Sequence, residues 1–222
     1  MIEHFLIDGV GQVTLEWIVE NEKQVVKQYV IERDQKRYDL LSYVPEGFKV
    51  ILGQRYLGPN NTEEPIQIIN PYSAYCIAAA LHEIGHAREF LDPDYDHKRY
   101  GLLNAKIIDD DRGLTLEMIN EFMDEEYRPW EFSLQVLKTM QLSEEIMYKV
   151  YWKINLALNT HLALCLDRAT LSIVALNAST TPAKIKEQIL RKREEWMRRV
   201  IGNYDLPPEY YGSRSRGITV TI

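Results

Sequence analysis

The chain has 222 residues, 45% of them hydrophobic and 27% charged, with a formal net charge of -7, a balance that suits a soluble globular protein with one well-buried core and at most a second small lobe. The acidic excess argues against nucleic acid as the main partner, because phosphate binding needs a basic face, and no apolar run reaches the roughly 18 residues of a membrane span. Cys76 and Cys165 lie in apolar stretches and read as buried thiols of a reducing compartment; Met1 to Asp8 lacks the basic start and apolar run of a signal peptide, so the expected localisation is cytoplasmic.

Residues 13 to 33 admit two readings. Leu15, Ile18, Glu22, Val25, Tyr29 and Arg33 fall near a helical period with Val19, Val26 and Val30 beside them, which favours an amphipathic helix. The alternation Val13, Leu15, Trp17, Val19 before Asn21-Glu22-Lys23 also fits a hairpin, but the helix is the leading expectation. After Pro45-Glu46-Gly47, the run from Phe48 to Leu52 reads as a short strand. The turn-rich stretch Gly58-Pro59-Asn60-Asn61-Thr62 then leads to a second strand, Pro65 to Ile69, whose edge could receive an extended substrate.

Asn70 as cap and Pro71 in the first turn predict a helix from about Pro71 to Leu91, stopped by Asp92-Pro93. Inside it stands Leu81-His82-Glu83-Ile84-Gly85-His86. Residues four apart share one face of a helix, so His82 and His86 can hold one ion together. Glu83 sits at the rim of that face, placed to take a proton from a metal-activated water. Zinc is the expected metal, since two imidazoles and a carboxylate leave a fourth position open. Ala78, Ala79, Ala80, Gly85 and Ala87 keep the helix thin, so a second helix can come close with a third ligand. Gly85 costs about 1 kcal/mol relative to Ala in a helix interior and so implies a packing reason.

The polar stretch from Asp94 to Asp111 reads as loop with a short apolar break at Leu102-Leu103, and its acidic triplet Asp109-Asp110-Asp111 as solvated loop rather than a second metal site. From Leu114 the helical period returns: Leu116, Ile119, Met123, Tyr127, Trp130, Leu134 and Leu137 cluster within about 80° of a helical wheel. Glu126 falls at the border of that cluster, where a carboxylate is costly to bury unless paired or metal-bound, which makes it the candidate third ligand. Glu121 falls on the far side of the wheel. Pro129 predicts a kink, or a restart near Asp124. Ser143 caps a helix from Glu144 to about Leu176, with Met147, Val150, Tyr151, Ile154, Leu158, His161, Leu162 and Cys165 as its stripe. His161 is expected to be a core histidine, with oxyanion donation as the sharper alternative. Thr181-Pro182 opens a last helix to about Ile201, whose Lys184, Lys186, Arg191, Lys192, Arg193, Arg198 and Arg199 read as a solvated face, or as a docking surface for an acidic partner. The tail from Tyr204 reads as extended or mobile.

The expected architecture is a single α+β domain, mainly helical, with a small sheet beside the metal helix, a core over about residues 45 to 140 and a helical extension over about 141 to 222. Over Phe48 to Leu137 the chain resembles the gluzincin type of zinc metallopeptidase, which pairs His-Glu-x-x-His on one helix with a Glu ligand on a later one. It looks most like the small intracellular zinc peptidases of phages and mobile elements, some of which cleave a repressor. Their third-ligand helix reads Glu-x-x-Ala-Asp or Glu-x-x-Ala-Trp, and Glu126-Tyr127-Arg128-Pro129-Trp130 is similar, with Pro129 in place of Ala. A thermolysin-like alignment would instead take Asn120-Glu121, with Glu125 beside the site. The metzincin pattern needs Gly at position 89 and a ligand at 92, where this chain has Glu89 and Asp92. The resemblance implies a Zn2+ cofactor, a peptide or protein substrate, and Glu83 as general base. The competing expectation is a catalytically silent metal-binding regulatory or interaction protein on the same scaffold.

Overall fold

Residues 13 to 33 are rich in β-branched side chains, which pack best on a pleated surface, and in the computed structural model they form a hairpin. The structure describes residues 1–59, 63–93, 95–96, 103, 116–176 and 182–201. The helix expected over 13 to 33 is therefore corrected to two strands, β2 (Gly11–Glu20) and β3 (Lys23–Arg33). The turn residues decide it: Asn21 and Glu22 have φ of 47° and 64°, left-handed values that a two-residue hairpin turn requires and a helix forbids. Asp34 and Gln35, at 50° and 61°, repeat the device between β3 and β4 (Lys36–Asp39). On the inner side, Val13, Leu15 and Trp17 of β2 and Tyr29 and Ile31 of β3 are buried.

Among the described residues six strands form one mixed sheet, in the order β1-β2-β3-β5-β6 with β4 also on β3. β1 (Ile2–Ile7) pairs antiparallel with β2. β5 (Val50–Leu52) and β6 (Ile66–Ile68), the two strands read from the sequence, pair with each other in parallel. β6 feeds α1 (Ala74–Glu89), which packs back against it. The N-cap is Ser73, not Asn70: its Oγ accepts from the Cys76 N–H at 3.3 Å. α1 is apolar nearly all round, with Ile77, Leu81 and Ile84 each fully buried and each contributing about 1.5–3 kcal/mol by leaving water. Cys76 is half-buried rather than buried.

The chain divides into two compact units, Met1–Gly101 with Glu126–Val150 and Leu102–Glu125 with Tyr151–Ile222. The boundaries fall within α2 (Leu116–Thr139) and α3 (Glu144–Leu176). α2 runs through Pro129 as one element, so no restart occurs at Asp124. In the first unit, α2 lies directly on α1: Ser133 Oγ donates to the Ala78 carbonyl at 2.7 Å, and a Cβ on Gly85 would lie 2.8 Å from Pro129 Cα. The packing reason implied for Gly85 is thus the Pro129 backbone. Gly85→Ala is expected to lower stability by about 1–3 kcal/mol through overpacking, where a helical glycine with free space around it would gain about 1 kcal/mol. A higher melting temperature in that variant would contradict the contact.

In the second unit, Ile119, Phe122 and Met123 of α2, Tyr151, Ile154 and Leu158 of α3 and Trp196 of α4 (Pro182–Ile201) are buried. Lys192 Nζ donates to Asp124 Oδ2 at 2.5 Å and to the Asn120 carbonyl at 3.3 Å. Asn60 to Thr62, most of the polar stretch from Asp94 to Asp111, the side chains of Leu162, Cys165, Lys184, Lys186 and Arg193, and the tail from Tyr204 lie outside the described residues.

Candidate metal centre

One helical turn separates His82 from His86, and their Nε2 atoms lie 3.1 Å apart with the rings edge to face, 83° between planes. Glu126 reaches them from α2: its Oε2 is 3.5 Å from His82 Nε2 and 3.8 Å from His86 Nε2. A point equidistant from these three atoms lies about 2.0 Å from each, a bond length at which imidazole nitrogen and carboxylate oxygen hold a divalent ion. Ligand-capable atoms of His82, Glu83 and His86 also lie within 4.8 Å of one another. The donor set therefore fits a metal ion, and the burial points the same way. His82, Glu83 and Glu126 are 5%, 8% and 5% exposed, and two carboxylates that deep are costly without a cation between or beside them. Burial first, and then the charge of Glu126, hold the Glu83 carboxyl well above the usual carboxylate range.

Glu121, the thermolysin-like alternative, stands five residues before Glu126, which on one helix is about 140° around and 7.5 Å along. It lies in the part of α2 assigned to the other unit, as does Glu125. His161 also belongs to that second unit, half-buried with its ring 6.0 Å from Phe122.

Four further contributors carried no chemical signal in the sequence. Trp130, expected only as part of an apolar stripe and of the family pattern, stacks on the His82 ring at 4.0 Å and 26°, and Tyr75 stacks on Trp130 at 6.1 Å. The ring of the first histidine is thereby fixed by an aromatic wall. Gly58 lies over the other side: a Cβ there would stand 3.0 Å from Glu83 Oε2 and 3.2 Å from His86 Cβ. Tyr56 pins this segment to the first turn of α1 by donating to the Cys76 carbonyl at 3.1 Å; burial and the Cys76 contact push its phenol up, so it stays a donor. A Gly-Pro pair ahead of a strand was the available hint for Gly58, but it pointed only to a turn.

The expectation that the strand at Pro65 to Ile69 offers its edge to a substrate is corrected. The outward N–H and C=O of Gln67 are both taken by Leu57, at 2.9 and 3.0 Å, so the chain's own segment covers that edge. Comparison with known protein families, with curated proteins and with solved structures finds no match. Likeness to the gluzincins rests on the buried His82-Glu83-His86 group and its spacing in a helix. No helix among the described residues is long and apolar enough to cross a membrane.

Proposed function

We propose that the chain is a zinc-dependent peptidase. The observation that carries this reading is the convergence of His82 Nε2, His86 Nε2 and Glu126 Oε2 within 3.1 to 3.8 Å, with the Glu83 carboxylate beside them. Two nitrogens, one oxygen and an open fourth position are the donor set of catalytic rather than structural zinc, which keeps four protein ligands. Bound there, zinc would supply Lewis acidity, acidifying a water and polarising the scissile carbonyl.

The protein groups do the rest. Glu83, buried beside the three donors, is the group placed to act as general base: its carboxylate accepts the proton of the attacking water and hands it to the leaving amine nitrogen as the C–N bond breaks. Trp130 holds the His82 ring against rotation. With Leu57 committed to Gln67, strand alternation turns the neighbouring backbone groups of Tyr56 and Gly58 to the opposite side, where an extended peptide could pair beside Glu83.

The test is metal content and turnover measured together on the purified chain. The expected result is close to one zinc per chain and cleavage of a mixed peptide library, lost on chelation and regained on adding zinc. Zinc uptake with no cleavage of any peptide would leave a metal-binding scaffold; no zinc uptake would end the proposal.

A further inference from the structure

Glu89 is the last residue of α1, and both of its carboxylate oxygens are closed off from solvent. That is an unfavourable place for an anion, because a helix C-terminus carries the negative end of the backbone dipole and burial adds a desolvation cost. Among the described residues, Arg128 and His86 face it. Arg128 Nε stands 3.1 Å from Glu89 Oε1, and His86 Nδ1 stands 3.8 Å from Glu89 Oε2. The other nitrogen of that imidazole, Nε2, is the one turned towards His82 and Glu126.

We propose that Glu89 is a positioning residue for the metal centre, and that Arg128 is its anchor. The inference rests on the metal reading above and adds a part that the ligand pattern does not contain. A carboxylate at Nδ1 holds the proton there, which leaves the lone pair on Nε2, and it makes that nitrogen a stronger donor to an ion. On metal binding the 3.8 Å contact closes to hydrogen-bond length, about 2.7–3.2 Å. Arg128 supplies the compensating charge and a second effect. It stands two residues beyond Glu126, so its pair with Glu89 ties the last turn of α1 to the turn of α2 that delivers the third donor. The three side chains form a line from guanidinium through carboxylate to imidazole, crossing between the two ligand-bearing helices.

The experiment compares the intact chain with Glu89→Gln, Glu89→Ala and Arg128→Ala, with Glu145→Gln, an exposed carboxylate paired to Lys149, as control. Zinc affinity is read by competition with a chromophoric chelator, ligand geometry by the visible absorption of the cobalt-substituted protein, and fold by the melting temperature of the metal-free protein. Glu89→Ala should weaken zinc binding by about 10–100-fold, Glu89→Gln by less because its amide oxygen still accepts, and both should alter the cobalt bands. Arg128→Ala should fall in the same direction, and Glu145→Gln should match the parent. Unchanged affinity and cobalt spectrum in Glu89→Ala would overturn the proposal. So would a lowered metal-free melting temperature with affinity intact, which would make Glu89 a structural ion pair. A parent chain that takes up no zinc would remove the metal reading and this one together, whereas normal uptake in the parent and in Glu89→Ala removes this one alone.

Discussion

Glu83→Gln is expected to cut turnover by about 10²–10⁴-fold while zinc stays bound, since general acid–base assistance contributes that much. The substitution keeps the shape of the side chain and deletes its capacity to take a proton. It also removes one of two neighbouring buried carboxylates, so the metal-free protein should fold at least as well as the parent: the charge of Glu126 is one of the two causes that raise the Glu83 carboxyl. The replacing amide still fits beneath Gly58, where a Cβ would stand only 3.0 Å from the carboxylate oxygen, because amide and carboxylate are the same size. Metal content by elemental analysis and initial rates on the same sample separate the two properties. Turnover within about threefold of the parent, far short of the loss expected for a general base, would take Glu83 out of the chemistry, and loss of zinc would move it into the ligand set.

The second large effect separates Glu126 from Glu121. Glu126→Ala removes a 5%-exposed carboxylate whose Oε2 lies 3.5 Å from His82 Nε2 and 3.8 Å from His86 Nε2. Two imidazoles on one helical turn are then left to hold the ion, and affinity should fall by more than the roughly 10–100-fold that losing a ligand's hydrogen-bonding partner costs. Glu121→Ala should leave affinity within about twofold, since its position is about 140° around the same helix. Chelator competition on both variants decides the matter. Equal affinities would show that the third donor is neither of them, and the reverse order would favour the Asn120-Glu121 alignment.

The two histidines and Glu83 could be read from the chain because their geometry is local: a spacing of four on a helix puts two imidazoles on one face whatever the rest of the protein does. The strands at 50 to 52 and 66 to 68 were readable for a similar reason, as short β-branched runs between turn residues. Residues 13 to 33 were not, because Leu15, Val25 and Tyr29 satisfy both a helical and a strand period. What separates the two is the left-handed turn at Asn21-Glu22 and the partners waiting on either side of β3, and neither is a property of the periodicity.

Glu126 lies between these cases. Its place at the border of an apolar face marked it as a carboxylate needing a reason to be buried, but the sequence could not say what it would meet. That was decided by two helices packing at Gly85 and Pro129, where the absence of a side chain lets the Pro129 backbone come within 2.8 Å of where a Cβ would sit. The same approach put Trp130 on the His82 ring and Arg128 on Glu89. The chain alone determined which helix could offer two nitrogens to one ion, because hydrogen bonds between near neighbours set that geometry. Only the tertiary structure decided which acid, which ring and which loop surround those nitrogens, because side chains distant in sequence meet only where the close packing of one helix on another places them.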